Sequence, residues 1–213
     1  MAKTGLFITF EGSEGCGKST QIRRIAEKLR ADGREVISLR EPGGTPIGER
    51  IRNLLQYDDD ASAMTSEAEL LLFAASRAQL VREVIRPALE RGAVVLCDRF
   101  FDSTTVYQGV ARALPAAEVA AINVFAVGST LPDLTLLLDL DAAEGRLRAS
   151  LRKGPVDRME QEGGEFYEAV RRGYLELAQK NPSRFVVIDA SPDESVVAAS
   201  IEAAIMYRLK EVV

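Results

Sequence analysis

Histidine is absent from the 213 residues, and tryptophan with it. Proton transfer or metal ligation by imidazole is thereby excluded. Cysteine is scarce: only Cys16 and Cys97 occur, too few for a disulfide framework. Both read as small buried residues with free thiols, which suits a reducing compartment. There is no basic excess either, with 27 Lys and Arg against 32 Asp and Glu and a net charge of -5. A general nucleic-acid binder is disfavoured, because nothing is in surplus to neutralise a phosphate backbone. A few arginines still suffice to hold a small anionic ligand locally. No apolar run is long enough to span a bilayer, so no membrane partner is expected. Met1-Ala2-Lys3-Thr4 leads straight into the first apolar run without a signal peptide, and a cytoplasmic location is expected.

The chain is 46% hydrophobic and 28% charged, ordinary for a globular protein, and its length fits one domain, residues 1–213. Short apolar runs at Leu6–Phe10, Val36–Leu39, Ala93–Cys97, Leu134–Leu138 and Phe185–Ile188 read as strands buried on both faces, the mark of a parallel sheet. Helical patterns separate them. Ser19–Arg30 carries Ile22, Ile25, Ala26 and Leu29 at helical spacing and stops before Gly33. Thr45-Pro46 is an N-cap followed by proline at the first helical position, opening a helix to Leu55. Thr65-Ser66 opens a longer stretch to about Glu90, bent or restarted near Pro87. Pro115–Phe125, Ala142–Leu151, Glu165–Gln179 and Pro192–Leu209 complete the helices. The alternation predicts a doubly wound three-layer α/β/α fold with a five-stranded parallel sheet. No repeat or linker divides it.

Between the first strand and helix lies Gly12-Ser13-Glu14-Gly15-Cys16-Gly17-Lys18-Ser19, which fits the phosphate-loop pattern G-x-x-x-x-G-K-[ST]. Such a loop turns successive backbone N–H groups towards phosphate oxygens, and the following helix aims its positive end at the same place. In such a loop Lys18 can reach the β- and γ-phosphates, and the Ser19 hydroxyl can ligate Mg²⁺. The pattern says nucleoside triphosphate without saying what is done with it.

Ligands of open parallel sheets sit beyond the carboxyl ends of the strands. Asp98-Arg99 follows the third strand, which places Asp98 near the Mg²⁺ beside Ser19 and points Arg99 into the same crevice; a buried Asp–Arg ion pair is the alternative. Arg40-Glu41-Pro42-Gly43-Gly44-Thr45 makes a second Gly-rich turn at a strand end. Phe73 and Arg77, four apart on one helix, can stack a flat ring and hydrogen-bond its edge. Residues 152–164 combine charge and glycine without apolar periodicity, as expected of a lid that closes over phosphates. Asp58-Asp59-Asp60 reads as a solvated turn, since consecutive carboxylates do not converge on one ion.

Taken together, Glu11–Ser19, Arg40–Thr45, Leu72–Arg77, Asp98–Gly109 and Asp157–Glu160 resemble the motifs of thymidylate kinase, in the order and spacing of that family along nearly the whole chain. The resemblance implies a P-loop kinase fold that transfers the γ-phosphoryl group of ATP to dTMP with Mg²⁺, giving dTDP and ADP. It implies ATP contacts from Gly12 through Ser19 and Thr20, with Arg148 either at the adenine or a solvated helix arginine. Phe73 would stack on thymine and Arg77 would bond a thymine carbonyl, with Ser103, Thr104 and Gln108 at the base edge. Tyr107 would lie under the deoxyribose where a 2′-hydroxyl would otherwise fit. Arg52 and Arg99 would hold the acceptor phosphate, Pro42 belongs to the turn beside it, and Glu41 and Glu14 would lie near the acceptor and its metal-linked waters.

Transfer between two anions needs cations more than a strong base, so missing histidine is no obstacle. One branch of the family carries an arginine inside the phosphate loop; here Glu14-Gly15-Cys16 offers none. The bacterial branch compensates with basic lid residues, a role that Arg152, Lys153 and Arg158 fit. Arg158 belongs to the Asp-Arg-x-Glu motif, and Arg152 and Lys153 remain alternatives for the inserted cation. Phe100 departs from the Tyr or His often found after Asp-Arg, which removes a polar atom behind the site. The resemblance also implies a homodimer. A kinase for another deoxynucleotide, or a phosphate-loop switch ATPase, are the competing readings; the second has no reason to hold Phe73, Arg77, Thr104 and Gln108 together.

Overall fold

In the computed structural model, which describes residues 5–151, 158 and 162–212, the apolar runs form parallel strands. These are β1 (Leu6–Glu11), β2 (Val36–Arg40), β3 (Val94–Asp98), β4 (Leu134–Asp139) and β5 (Phe185–Asp189), in the order β2-β3-β1-β4-β5. The register aligns Phe10 with Asp98 and Arg40 with Asp98, so the ends of β1, β2 and β3 open onto one crevice.

Alternate residues of β1 feed opposite layers. Leu6, Ile8 and Phe10 pack with Ile22, Ile25 and Leu29 of α1 (Lys18–Ala31) and Val197, Ile201 and Ile205 of α9 (Glu194–Val212). Phe7 faces the other way, with Val95, Cys97, Leu80, Val81, Ile85 and Phe100. The edge strands correct one expectation. β2 and β5 are not buried on both faces: Val186 and Val187 are 36% and 48% exposed, because helices cover the centre of a twisted sheet better than its rims.

Thr45 caps α2 (Pro46–Gln56), its hydroxyl accepting from Gly48 N at 3.0 Å, and Thr65 caps α3 (Ser66–Leu80) through Ala68 N. The expected break near Pro87 takes the form of a π-turn over Val81–Ile85, where Arg86 N reaches back to Val81 O, followed by α4 (Arg86–Glu90). Proline has no N–H and its ring displaces the carbonyl a turn earlier, so the helix widens there. After β3 comes helical structure that the sequence reading did not mark: α5 (Phe101–Thr104) runs into a π-turn over Thr105–Ala111. Among the described residues the other α-helices are α6 (Ala116–Val127), α7 (Ala142–Ser150) and α8 (Gly164–Lys180). Both cysteines are buried free thiols.

Candidate active site

The phosphate loop leaves β1 at Glu11 and enters α1 at Lys18. Its glycines are forced by space as well as by φ. A Cβ at Gly12 (φ +133) would lie 2.4 Å from Leu138 O, and one at Gly15 (φ +75) only 2.0 Å from Gly145 O of α7. The α1 N-cap is Gly17, with no side-chain cap among the described residues, so the first amides of the helix face the crevice as anion donors. The Lys18 ammonium donates to Gly12 O at 3.1 Å and Ser13 O at 2.9 Å. Ser19 Oγ donates to Asp98 Oδ2 at 2.6 Å, so the two expected metal-side oxygens meet at the ends of α1 and β3.

Arg99 stands in the left-handed region (φ 68), a conformation that costs a non-glycine residue about 1–3 kcal/mol. It is pinned there. Arg99 N donates to Phe10 O at 2.9 Å, Cys97 Sγ–H reaches Arg99 O at 3.1 Å, and Phe100 N donates to Glu11 Oε1 at 2.8 Å. The guanidinium thereby swings back over the sheet end. It donates to Gly12 O at 3.0 Å, to Glu14 Oε1 at 2.5 Å and to Ser103 Oγ at 3.3 Å, and rests 5.0 Å from the Tyr107 ring centroid. Burial pushes the Tyr107 phenol above its ordinary range, which leaves it a neutral O–H.

A cavity of about 960 Å³ runs from the phosphate loop past Arg99 to α3 and the Thr105–Ala111 turn. Lys18, Ser19, Asp98 and Arg148 line its loop end; Phe73, Arg77, Ser103, Thr104, Tyr107 and Gln108 line the far end, with Glu41, Pro42 and Arg52 between. Thr104 Oγ1, the Tyr107 hydroxyl and Glu41 Oε1 are buried without a hydrogen-bond partner among the described residues. Orphaned polar atoms of this kind are costly unless a ligand or water meets them. Arg77 is 1% exposed and held on three sides: Nε donates to Glu41 Oε2 at 2.7 Å, Nη1 to Asn123 Oδ1 at 3.2 Å and Nη2 to Phe100 O at 3.3 Å. Burial pushes the Glu41 carboxyl up to about 7, against the pull of Arg77. Arg52 Nη1 donates to Pro42 O at 3.0 Å, and Arg148 is tied to Ala190 O, Ser191 O and Glu144. Phe100 is wholly buried, edge-on to Phe7 and Phe101, and lies behind the site rather than in it.

Arg152 and Lys153 lie outside the described residues, as does most of the expected lid. Arg158 is described: its guanidinium donates to Glu69 Oε2 and to Leu55 O. The sequence does not single out Glu69, although it stands four residues before Phe73 and eight before Arg77 on the same face of α3. It accepts from Gln108 Nε2 at 2.7 Å as well as from Arg112 and Arg158. Glu11 was read only as the start of a motif. Its Oε2 accepts from Ser103 Oγ at 2.6 Å and Tyr174 OH at 2.8 Å, and burial, with Asp102 nearby, pushes its carboxyl up to about 7.

Among the described residues no cluster of three or more His, Cys, Asp or Glu side chains could hold a metal, and no helix is long and apolar enough to cross a membrane. The family model described as thymidylate kinase matches residues 10–201. Thymidylate kinase of Pseudomonas fluorescens (strain Pf0-1) is 54% identical over 202 residues, covering 95% of each chain. That of Deinococcus radiodurans is 50% identical over 204 residues, 96% of this chain and 98% of its own. A crystal structure of thymidylate kinase from Ehrlichia chaffeensis superposes with a TM-score of 0.76 at 35% identity, over 95% of this chain and 98% of that one. With a family model matched over residues 10–201 and relatives at least half identical over nearly their full length, the chain belongs to the thymidylate kinase family.

Proposed function

We propose that the cavity is a two-nucleotide site, with ATP on the phosphate loop and dTMP in the pocket beyond Arg99, in which this chain carries out the ATP-dependent phosphorylation of dTMP to dTDP. One observation carries the division of labour. Arg99 touches both halves, through Gly12 O of the donor loop and Ser103 Oγ of the acceptor side. A cation held between two anionic substrates lowers their repulsion and lies where charge builds up as the phosphoryl group moves.

On this reading Lys18, the loop amides and Thr20 hold the donor phosphates, and Arg148 borders the adenine end. Ser19 and Asp98 are hard oxygen donors close enough to share one ion, which fits Mg²⁺ with phosphate oxygens and waters completing its shell. When bound, Mg²⁺ neutralises charge on the donor phosphates. Phe73 stacks the thymine, Arg77, Thr104 and Gln108 face its edge, and Tyr107 fills the space a 2′-hydroxyl needs. Arg52 and Arg99 hold the acceptor phosphate, which is itself the nucleophile, with Glu14 and Glu41 beside it. The loop has no basic residue at Glu14-Gly15-Cys16, so the further transition-state cation is assigned to Arg152 or Lys153, with Arg158 ordering the segment. The two free buried thiols support a cytoplasmic setting. A homodimer is supported by the exposed side chains of Leu71 on α3 and Val124 and Phe125 on α6, which are 56%, 66% and 82% accessible; sedimentation that finds only monomer would remove it.

The deciding experiment measures ADP release with ATP, Mg²⁺ and a panel of dTMP, dUMP, dCMP and AMP. Turnover is expected with dTMP and more weakly with dUMP, because a pocket separates a methyl from a hydrogen by only about 1–3 kcal/mol. Turnover confined to dCMP or AMP, or ATP hydrolysis indifferent to the acceptor, would sink the reading. In the same assay Arg152→Ala and Lys153→Ala should split into one severe and one mild defect.

A further inference from the structure

The far end of the cavity holds an amide whose direction is set from behind. Gln108 is 1% exposed, lines the cavity, and donates through Nε2 to Glu69 Oε1 at 2.7 Å. Glu69 is likewise 1% exposed. Its Oε1 also accepts from Arg112 Nε at 3.4 Å, and its Oε2 accepts from Arg112 Nη2 at 3.4 Å and from Arg158. Burial alone would raise the Glu69 carboxyl, but Gln108, Arg158 and Arg112 together hold it below the usual range. Glu69 is therefore an ionised, acceptor-only group, and the amide arm that meets it must be the NH₂.

A primary amide has two arms. With the NH₂ committed to Glu69, Gln108 has its carbonyl oxygen left for the cavity. Thymine and uracil present a donor, N3–H, between two carbonyls. Cytosine presents a bare N3 acceptor at the same place. A carbonyl oxygen accepts from the first and repels the second.

We infer that Glu69 is a specificity-determining positioning residue, which fixes the polarity of the Gln108 amide so that the pocket accepts a pyrimidine carrying a ring N–H and rejects one carrying a bare ring nitrogen. This rests on the reading that Gln108 meets the acceptor base. Glu69 itself need not touch the substrate. Sites built on a buried hydrogen-bonding group reject the mismatched analogue strongly, because the mismatch strands a desolvated polar atom.

The test is a change of polarity at constant shape. In Glu69→Gln, Arg158 and Arg112 Nη2 still donate towards the Oε2 position and hold the new carbonyl there, at the loss of the long Arg112 Nε contact to the Oε1 position. The new NH₂ then faces Gln108, whose amide must turn its carbonyl back and present NH₂ to the base. The ratio of kcat/KM for dTMP over dCMP should fall by roughly 10- to 100-fold. The fall should come from a higher KM for dTMP and a gain with dCMP, with the KM for ATP unmoved. In a Gln108→Ala background the same substitution should leave that ratio unaltered. A ratio unchanged in folded Glu69→Gln, or one that falls equally with Gln108 removed, overturns the inference. If Gln108→Ala itself leaves dTMP binding and selectivity intact, the base-edge assignment fails instead, and the inference with it.

Should Glu69→Gln not fold, the unsubstituted protein answers. With ¹⁵N-labelled dTMP and ¹³C-labelled protein, a through-hydrogen-bond coupling between thymine N3 and Gln108 Cδ is expected. Its absence at saturation overturns the proposal.

Discussion

Arg77 and Glu41 form an ion pair at 2.7 Å in which both side chains are almost wholly buried, 1% and 3% exposed. They come from the last turn of α3 and the residue that follows β2, and the pair fastens the acceptor side of the cavity to the sheet. Removing one member leaves the other charge buried alone, at a cost of about 3–5 kcal/mol, whereas replacing both with apolar groups of similar size is often close to neutral. Arg77→Ala should therefore lower unfolding stability by that order and raise the KM for dTMP. The combination Arg77→Met with Glu41→Leu should recover most of the stability and none of the dTMP affinity. Urea denaturation and steady-state kinetics on both proteins separate the two roles. Recovery of dTMP binding in the double substitution would show that Arg77 serves only the fold.

The same pair predicts a pH dependence. Burial raises the folded carboxyl of Glu41 from 4.5 to about 7. A group whose folded pKa lies above its unfolded one contributes fully below the unfolded value, and that contribution is lost as pH rises through the folded one. Between pH 5 and 7.5 the wild-type protein should thus lose stability relative to Glu41→Gln, whose amide does not titrate. Both proteins keep the raised Glu11 carboxyl, so the difference isolates Glu41. Urea midpoints across this range measure it. A difference that stays flat would mean that Glu41 is ionised throughout.

What could be read in advance, and what could not, follows from the range over which each signal acts. The strands were legible because burial between two helical layers demands short, mostly apolar runs, and Leu6–Phe10 and Leu134–Leu138, each with one buried threonine, supply them. The phosphate loop was legible because backbone approach to Leu138 O and Gly145 O admits only glycine. The Thr105–Ala111 turn escaped because a π-turn does not keep the 3.6-residue period on which a helix is recognised. Arg99 was legible as a strand-end cation, but its left-handed backbone was not, since Phe10 O and Glu11 hold it from another strand. Glu69 shared a helix face with Phe73 and Arg77, yet its partner Gln108 lies 39 residues away and only the fold joins them. Charged residues on helices are ordinarily solvated, so spacing alone gave no reason to bury this one.

The last prediction concerns the contact between α7 and the phosphate loop. Gly145 and Gly15 meet backbone to backbone: a Cβ on Gly145 would sit 2.5 Å from Glu14 O, and one on Gly15 2.0 Å from Gly145 O. Main-chain oxygens cannot step aside as a flexible side chain can, so Gly145→Ala must push α7 off the loop. Overpacking of this sort costs about 1–3 kcal/mol. The displacement should be felt first by Arg148, three residues along the same helix and on the loop side of the cavity. The nearest atoms that a Cβ on Gly145 would meet belong to Glu14 and Ser13 of the loop, so α3, Gln108 and the Arg77–Glu41 pair should stay in place. Gly145→Ala is therefore expected to raise the KM for ATP roughly 10-fold, the equivalent of about 1.4 kcal/mol, while the KM for dTMP moves less than two-fold. Equal increases for both substrates would show that the cavity deforms as one piece, and an unchanged KM for ATP would show that the approach of α7 to the loop does not govern the donor half.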